Sequence, residues 1–166
     1  MTSKPEISPQ EAGGANVCAF LSMIAWSEGT DNGRQPTRNR GYDVLVGGGL
    51  FTDLSKHPAK LVRLNAKLAS TAAGRYQFLS RTWGALQKQL GLPNFGPLSQ
   101  DKACIELIRG RKALEAVKAG QFDRAVALCS KEWASLPGAG YGQHEQSLEK
   151  LRAIYQKAGG KVGGSA

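Results

Sequence analysis

Cysteine, histidine and long apolar runs are all scarce in this chain, and each shortage removes a class of protein. The three cysteines, Cys18, Cys104 and Cys129, form no CxxC pair and lie in apolar helical contexts. That pattern points away from a structural disulfide or a thiolate metal site and toward reduced, buried thiols. The two histidines, His57 and His144, have no metal-ligand spacing, and His57-Pro58 reads as a turn. We therefore expect no metal and no organic cofactor. Gly47-Gly48-Gly49 lacks the Lys-Ser/Thr ending and the strand-to-helix setting of a phosphate loop, which argues against nucleotide binding. The apolar run from Val17 to Trp26 is interrupted by Ser22 and is far too short to span a bilayer. Residues 1–16 carry Lys4 as their only basic residue, so the positive start and small-residue cleavage site of an export signal are missing. The expectation is a protein made and held in a cytoplasm.

What is present is a basic chain of single-domain size. Its 166 residues are enough to bury most of the apolar surface of one domain. The net charge of +9 suits a polyanionic partner, nucleic acid or an anionic cell wall, or serves solubility alone. The Lys and Arg residues are spread along the chain rather than gathered in a block, which speaks against nucleic acid.

Along the chain, residues 1–15 (Pro5, Pro9, Gly13, Gly14) read as a flexible tail, with Asn16 as N-cap of the first helix. The domain proper is expected over 16–160, followed by a Gly-rich flexible tail over 161–166. Val44-Leu45-Val46, the three glycines and Leu50-Phe51-Thr52 read as a small β-hairpin with a Gly-rich turn, either a geometric necessity or a lip beside a cleft. Apolar residues at helical spacing follow: Trp83, Leu86 and Leu90 after an N-cap Ser80; Ala103, Cys104, Leu107 and Ile108 after Ser99; Leu114 and Val117; Phe122, Ala125, Val126, Cys129 and Trp133; Leu148, Leu151, Ile154 and Tyr155. The three tryptophans read as core. The fold class is α+β, helices dominant, with one minor sheet.

Glu28 ends the first apolar helix, directly before Gly29. A helix C-terminus carries partial negative charge and raises a carboxyl pKa, as a general acid requires. By position alone, an ordinary solvated helix-end glutamate is the preferred explanation. The surrounding blocks are more specific: Trp26-Ser27-Glu28-Gly29-Thr30-Asp31-Asn32-Gly33-Arg34-Gln35 with Gly41-Tyr42-Asp43, then Ala73-Gly74-Arg75-Tyr76-Gln77, then Ala134-Ser135-Leu136-Pro137-Gly138-Ala139-Gly140-Tyr141-Gly142-Gln143. In that order they closely resemble the bacteriophage lambda lysozyme (endolysin) family, from about Phe20 to about Gly160. The resemblance breaks at Gly49, an acidic position in the lambda protein.

The resemblance implies a lysozyme-like fold whose small hairpin-bearing lobe flanks a cleft, and a peptidoglycan lytic transglycosylase that cuts between N-acetylmuramic acid and N-acetylglucosamine. It implies Glu28 as the catalytic glutamate and Gln77 as a cleft glutamine that binds hydroxyl and acetamido groups. Candidate second carboxylates are Asp31, more simply a turn residue, Asp43, a sugar-hydroxyl acceptor or a turn aspartate, and Asp53. Tyr42 is a further candidate contact beside Asp43. Arg75 could steer anionic peptide stems, and Tyr76 belongs either to the cleft floor or to the core. Tyr141, on a glycine-flanked loop, reads without the resemblance as a surface-loop tyrosine and with it as a ring stacking on a sugar face, with Gln143 and Ser135 as polar contacts. A monomer is expected, with peptidoglycan glycan strands as partner and no nucleic acid. A wall enzyme without an export signal further requires a holin-type membrane protein to reach the periplasm. The rival readings are a true muramidase on the same bond, a basic nucleic-acid-binding module, and a silent wall-binding protein.

Overall fold

A computed structural model describes residues 2–163. Its elements run α1 (Pro9–Ala12), α2 (Ala15–Ser27), β1 (Val62–Arg63), β2 (Ala69–Ser70), α3 (Ser80–Leu90), α4 (Pro97–Gly110), α5 (Leu114–Lys118), α6 (Phe122–Cys129) and α7 (Leu148–Lys157). The order rests on α2. Phe20, Leu21, Met23, Ile24 and Ala25 all lose their entire surface to packing, so this helix is apolar all round rather than on one stripe. A helix of that kind is stable only as the centre of a domain. The other helices α1, α4, α5 and α7 lie against it.

The remaining helices are amphipathic and start and stop where local chemistry dictates. α3 buries Trp83 and Leu86 and ends at Gly91, whose left-handed φ of +63 suits glycine. α4 begins two residues before Ser99, at Pro97, a residue pre-set for a first helical turn. Asn16 is not the cap of α2: Gly14 holds that position, and the Asn16 side chain instead donates to the Lys118 carbonyl and accepts from Lys161 N–H. The tryptophans Trp83 and Trp133 are core, as their spacing suggested, while Trp26 is half-buried. The three cysteines are free.

The small lobe differs from expectation. Val44 and Leu50 are joined by only a single antiparallel bridge, and the paired strands are β1 and β2, in register Val62 with Ser70 and Arg63 with Ala69. Leu45 bridges Ala73, and Ala73 in turn bridges Phe78. The glycine turn therefore forms, but its flanks pair outward with the segment around Ala73 instead of extending a ladder of their own.

The N-terminal segment is likewise not a loose tail. Ser8 caps α1, Ile7 is 4% exposed, and Ile7 N–H donates to Asp101 at 2.8 Å. Ser3 N–H donates to Asp31 at 2.7 Å, and the Ser3 carbonyl accepts from Arg75 at 2.7 Å. Glu6 N–H reaches the Tyr42 hydroxyl at 2.9 Å. These main-chain groups satisfy buried polar side chains that nothing local could reach, which is why the segment is held. At the other end, Lys161 accepts from Tyr155 and Gly163 N–H donates to the Gly120 carbonyl. The final part of the tail expected over 161–166 lies outside the described residues.

Candidate active site

Glu28 sits at the C-cap of α2, its N–H bonded to the Ile24 carbonyl at 2.8 Å. Gly29, at φ +81, then turns the chain sharply. Thr30 fixes that turn, with its hydroxyl within bonding distance of the carbonyls of Ala25 and Arg75. Gly41 packs so tightly on it that a Cβ there would stand 2.8 Å from the Thr30 carbonyl oxygen. Behind the turn, Arg75 is fully buried and pairs with Asp31 at 2.7 Å, so the corner carrying Glu28 is bolted to the loop carrying Gln77.

An open cleft of about 380 Å³ lies in front of Glu28. Its lining includes Ser27, Glu28, Thr30, Gln35, the segment from Val44 to Gly48, Gln77, Ser135, Gln143 and His144. Glu28 is the only carboxyl group among these lining residues. Ser135 donates its hydroxyl to Glu28 Oε2 at 2.5 Å and lies 2.7 Å from the Ser27 hydroxyl. Burial pushes the Glu28 carboxyl up to about 7, while the Ser135 hydroxyl and N–H act in the opposite direction. The main cause is thus desolvation rather than the helix-end charge expected from position. A carboxyl poised near neutrality, open to a cleft on one side, can both give and accept a proton there.

A family model described as Endolysin matches residues 18–162. The endolysin of Escherichia phage lambda is 60% identical over 144 residues, covering 87% of this chain and 91% of that protein. The endolysin of Escherichia phage P2 is 51% identical over 156 residues, covering 87% and 93%. The chain belongs to the endolysin family. Among solved structures, bacteriophage lambda lysozyme complexed with a chitohexasaccharide superposes on this endolysin with TM-score 0.89 and 58% identity, covering 90% of this chain and 97% of that one. A second structure of lysozyme from bacteriophage lambda gives TM-score 0.85 and 56% identity. The lysozyme-like fold class, mainly helical with a small sheet, follows from these superpositions.

The endolysin's cleft gathers some of the expected residues and not others. Glu28, Gln77, Ser135 and Gln143 line it together. Gln77 holds a left-handed φ of +55, and its amide donates to the carbonyls of Gly74 at 2.9 Å and Val44 at 3.2 Å. Both amide hydrogens are thereby committed, and the amide oxygen keeps its capacity to accept from a sugar.

The contact role expected of Tyr42 is overturned, and of the two places open to Tyr76 it takes the core: neither residue exposes any surface, and both hydroxyls donate to Asp101 Oδ1, at 2.8 and 2.7 Å. They are core residues around a buried carboxylate. Asp43 is also structural, accepting from the Thr37 hydroxyl at 2.5 Å and from Arg38 N–H at 3.0 Å to close the 37–43 turn. Asp31 is tied to Arg75, whose burial removes the guanidinium from any contact with peptide stems. Asp53 is exposed and accepts from Ser55 N–H. Tyr141 is 55% exposed, but its hydroxyl donates to the Lys131 carbonyl at 2.8 Å and the Lys131 ammonium stands 5.4 Å from its ring; it is not among the cleft-lining residues.

Ser27, Gln35 and His144 were missed. Ser27 is adjacent to Glu28 in sequence, a signal that was available. Gln35 reaches the cleft by donating to the Gly48 carbonyl at 2.7 Å, a long-range contact with no local signature.

Proposed function

We propose that this endolysin cuts the β-1,4 bond between N-acetylmuramic acid and N-acetylglucosamine in peptidoglycan by lytic transglycosylation. The observation that carries the reading is Glu28: among the described residues the one carboxyl lining the cleft, raised to about 7. A hydrolase of the two-carboxylate type needs a second group to act as nucleophile or to activate water. Here Asp31, Asp43 and Asp53 are each engaged elsewhere. One carboxyl suffices for transglycosylation. Protonated Glu28 gives its proton to the glycosidic oxygen as the C1–O bond breaks. The resulting carboxylate then takes the proton of the muramoyl C6 hydroxyl as that oxygen closes onto C1. The product is a 1,6-anhydro sugar, Glu28 is protonated again, and no water is consumed.

Glycan binding in the cleft is supported by the chitohexasaccharide complex of the lambda relative. Gln77, Ser135 and Gln143 supply the polar contacts. In this reading the protein reaches the wall only when a hole-forming membrane partner opens the way. No helix among the described residues is long and apolar enough to cross a membrane. Expression in a bacterial cytoplasm should leave cells intact until chloroform opens the inner membrane; lysis before that would refute the release step. For the catalytic step, Glu28→Gln should stay folded and lose roughly 10²–10⁴-fold activity on purified sacculi. Near-normal turnover by the folded variant would refute it.

A further inference from the structure

The segment from Ser135 to Gln146 leaves the core and returns to it within a few ångströms. Gln146 N–H closes its base on the Ser135 carbonyl at 2.7 Å. Inside the loop, Glu145 uses both carboxylate oxygens: Oε1 accepts from Gly138 N–H at 3.0 Å and Oε2 from Gly140 N–H at 3.0 Å. Gly138 and Gly140 hold φ of +89 and +75, the left-handed region that lets alternate N–H groups point inward. The intervening Ala139 carbonyl points the other way and accepts from the Lys131 ammonium. Gln143 and His144, the next residues before Glu145, face the cleft.

We propose that Glu145 is a positioning residue of the endolysin: by folding 135–146 into a closed lip, it holds Ser135 against Glu28 and carries Gln143 and His144 to the cleft. The inference rests on the proposed reading of Glu28, and it assigns a role to a side chain that touches no reacting atom. Two N–H donors need two acceptor oxygens in fixed relation, which an ionised carboxylate offers and a carboxamide does not, because its NH₂ would face an N–H. The bonding of both N–H groups also keeps the Glu145 carboxyl below its ordinary pKa, so the lip is laced at neutral pH. Leu136 at the root and Ala139 between the two glycines are fully buried and tie the loop to the core, whereas 140–144 are exposed. The ionisable groups around this arrangement are Lys131, whose ammonium holds the Ala139 carbonyl, Tyr141, whose hydroxyl donates to the Lys131 carbonyl, and the cleft-lining His144 and Glu28.

Glu145→Gln should remain folded with an almost unchanged melting temperature, yet show a raised KM on sacculi. Its alkaline limb of kcat/KM should move upward, because the loosened lip weakens the Ser135 hydrogen bonds that hold Glu28 down. Glu145→Asp, which keeps two acceptor oxygens on a shorter arm, should fall between the two. A merely structural role would not move the ionisation of Glu28, and that ionisation can be read by carbon NMR of labelled glutamate without any turnover. Since Glu145 acts through Ser135, Glu145→Gln combined with Ser135→Ala should displace Glu28 no further than Ser135→Ala alone. Displacements that add in full, or an unmoved Glu28 in Glu145→Gln, would overturn the proposal. Failure of the wild-type protein to cleave sacculi would instead count against the proposed function, leaving the NMR result to decide on Glu145.

Discussion

The Ser135 hydroxyl donates to Glu28 at 2.5 Å, joining residues 107 positions apart in the chain. It is the contact that keeps the carboxyl in balance. Burial alone favours the neutral acid; Ser135 supports the anion that the proposed proton transfer would leave on Glu28. An acid with no such support would protonate the leaving oxygen and then be a poor holder of the negative charge.

Ser135→Ala should therefore raise the Glu28 pKa above about 7 and move the alkaline limb of kcat/KM upward. The maximal rate should fall, since one hydrogen bond to a charged group contributes about 1.5–3 kcal/mol. A pH–rate profile identical to that of the wild type would show that the contact is not functional.

Glu28 also carries a stability signature. Its folded pKa stands near 7, above the ordinary value of 4.5, so the folded state binds more protons than the unfolded one between those values. Stability attributable to this group is complete below pH 4.5 and is lost as pH rises through 7. The displacement corresponds to at most about 3 kcal/mol, and access to solvent from the cleft reduces it to roughly 1–2 kcal/mol. Urea melts of Glu28→Gln should match the wild type near pH 4.5 and exceed it at pH 8. A variant that is less stable at pH 8 would contradict the assignment.

Deleting residues 2–8 removes buried Ile7 and the Ser3 and Ile7 main-chain bonds to Asp31, Arg75 and Asp101. The loss should be about 2–4 kcal/mol, seen as a lower urea midpoint. An unchanged midpoint would mean that the segment merely rests on the surface.

Tyr76→Phe distinguishes core from cleft. It removes one of two tyrosine donors to buried Asp101, whose carboxyl is already pushed up by burial. Stability should fall by about 1–3 kcal/mol while KM for glycan stays the same. A raised KM with unchanged stability would return Tyr76 to the binding surface.

What was legible in the sequence and what was not divides on physical grounds. Glu28 at a helix end before Gly29 is a local pattern, and so are the apolar spacings of α3 to α7. The ordering of residues 2–14 was invisible because it depends on main-chain groups meeting Asp31, Arg75 and Asp101 from distant parts of the chain. Tyr42 and Asp43 stand side by side just before the glycine turn, where a sugar contact and a turn aspartate have the same local pattern. Only the distant Asp101 shows that Tyr42 turns inward, and only the Thr37 hydroxyl shows that Asp43 is a turn latch. Cleft residues such as Gln35 arrive by tertiary contact and carry no signal at their own position.

In the proposed reaction one carboxyl group hands a proton out and takes one back, with the substrate's own hydroxyl as nucleophile. Mass analysis of muropeptides from digested sacculi tests it most directly. Digests should contain chains ending in 1,6-anhydromuramic acid, lighter by one water than hydrolytic products. Reducing N-acetylmuramic acid ends alone would contradict it, and would mean that water is delivered to C1 in this cleft.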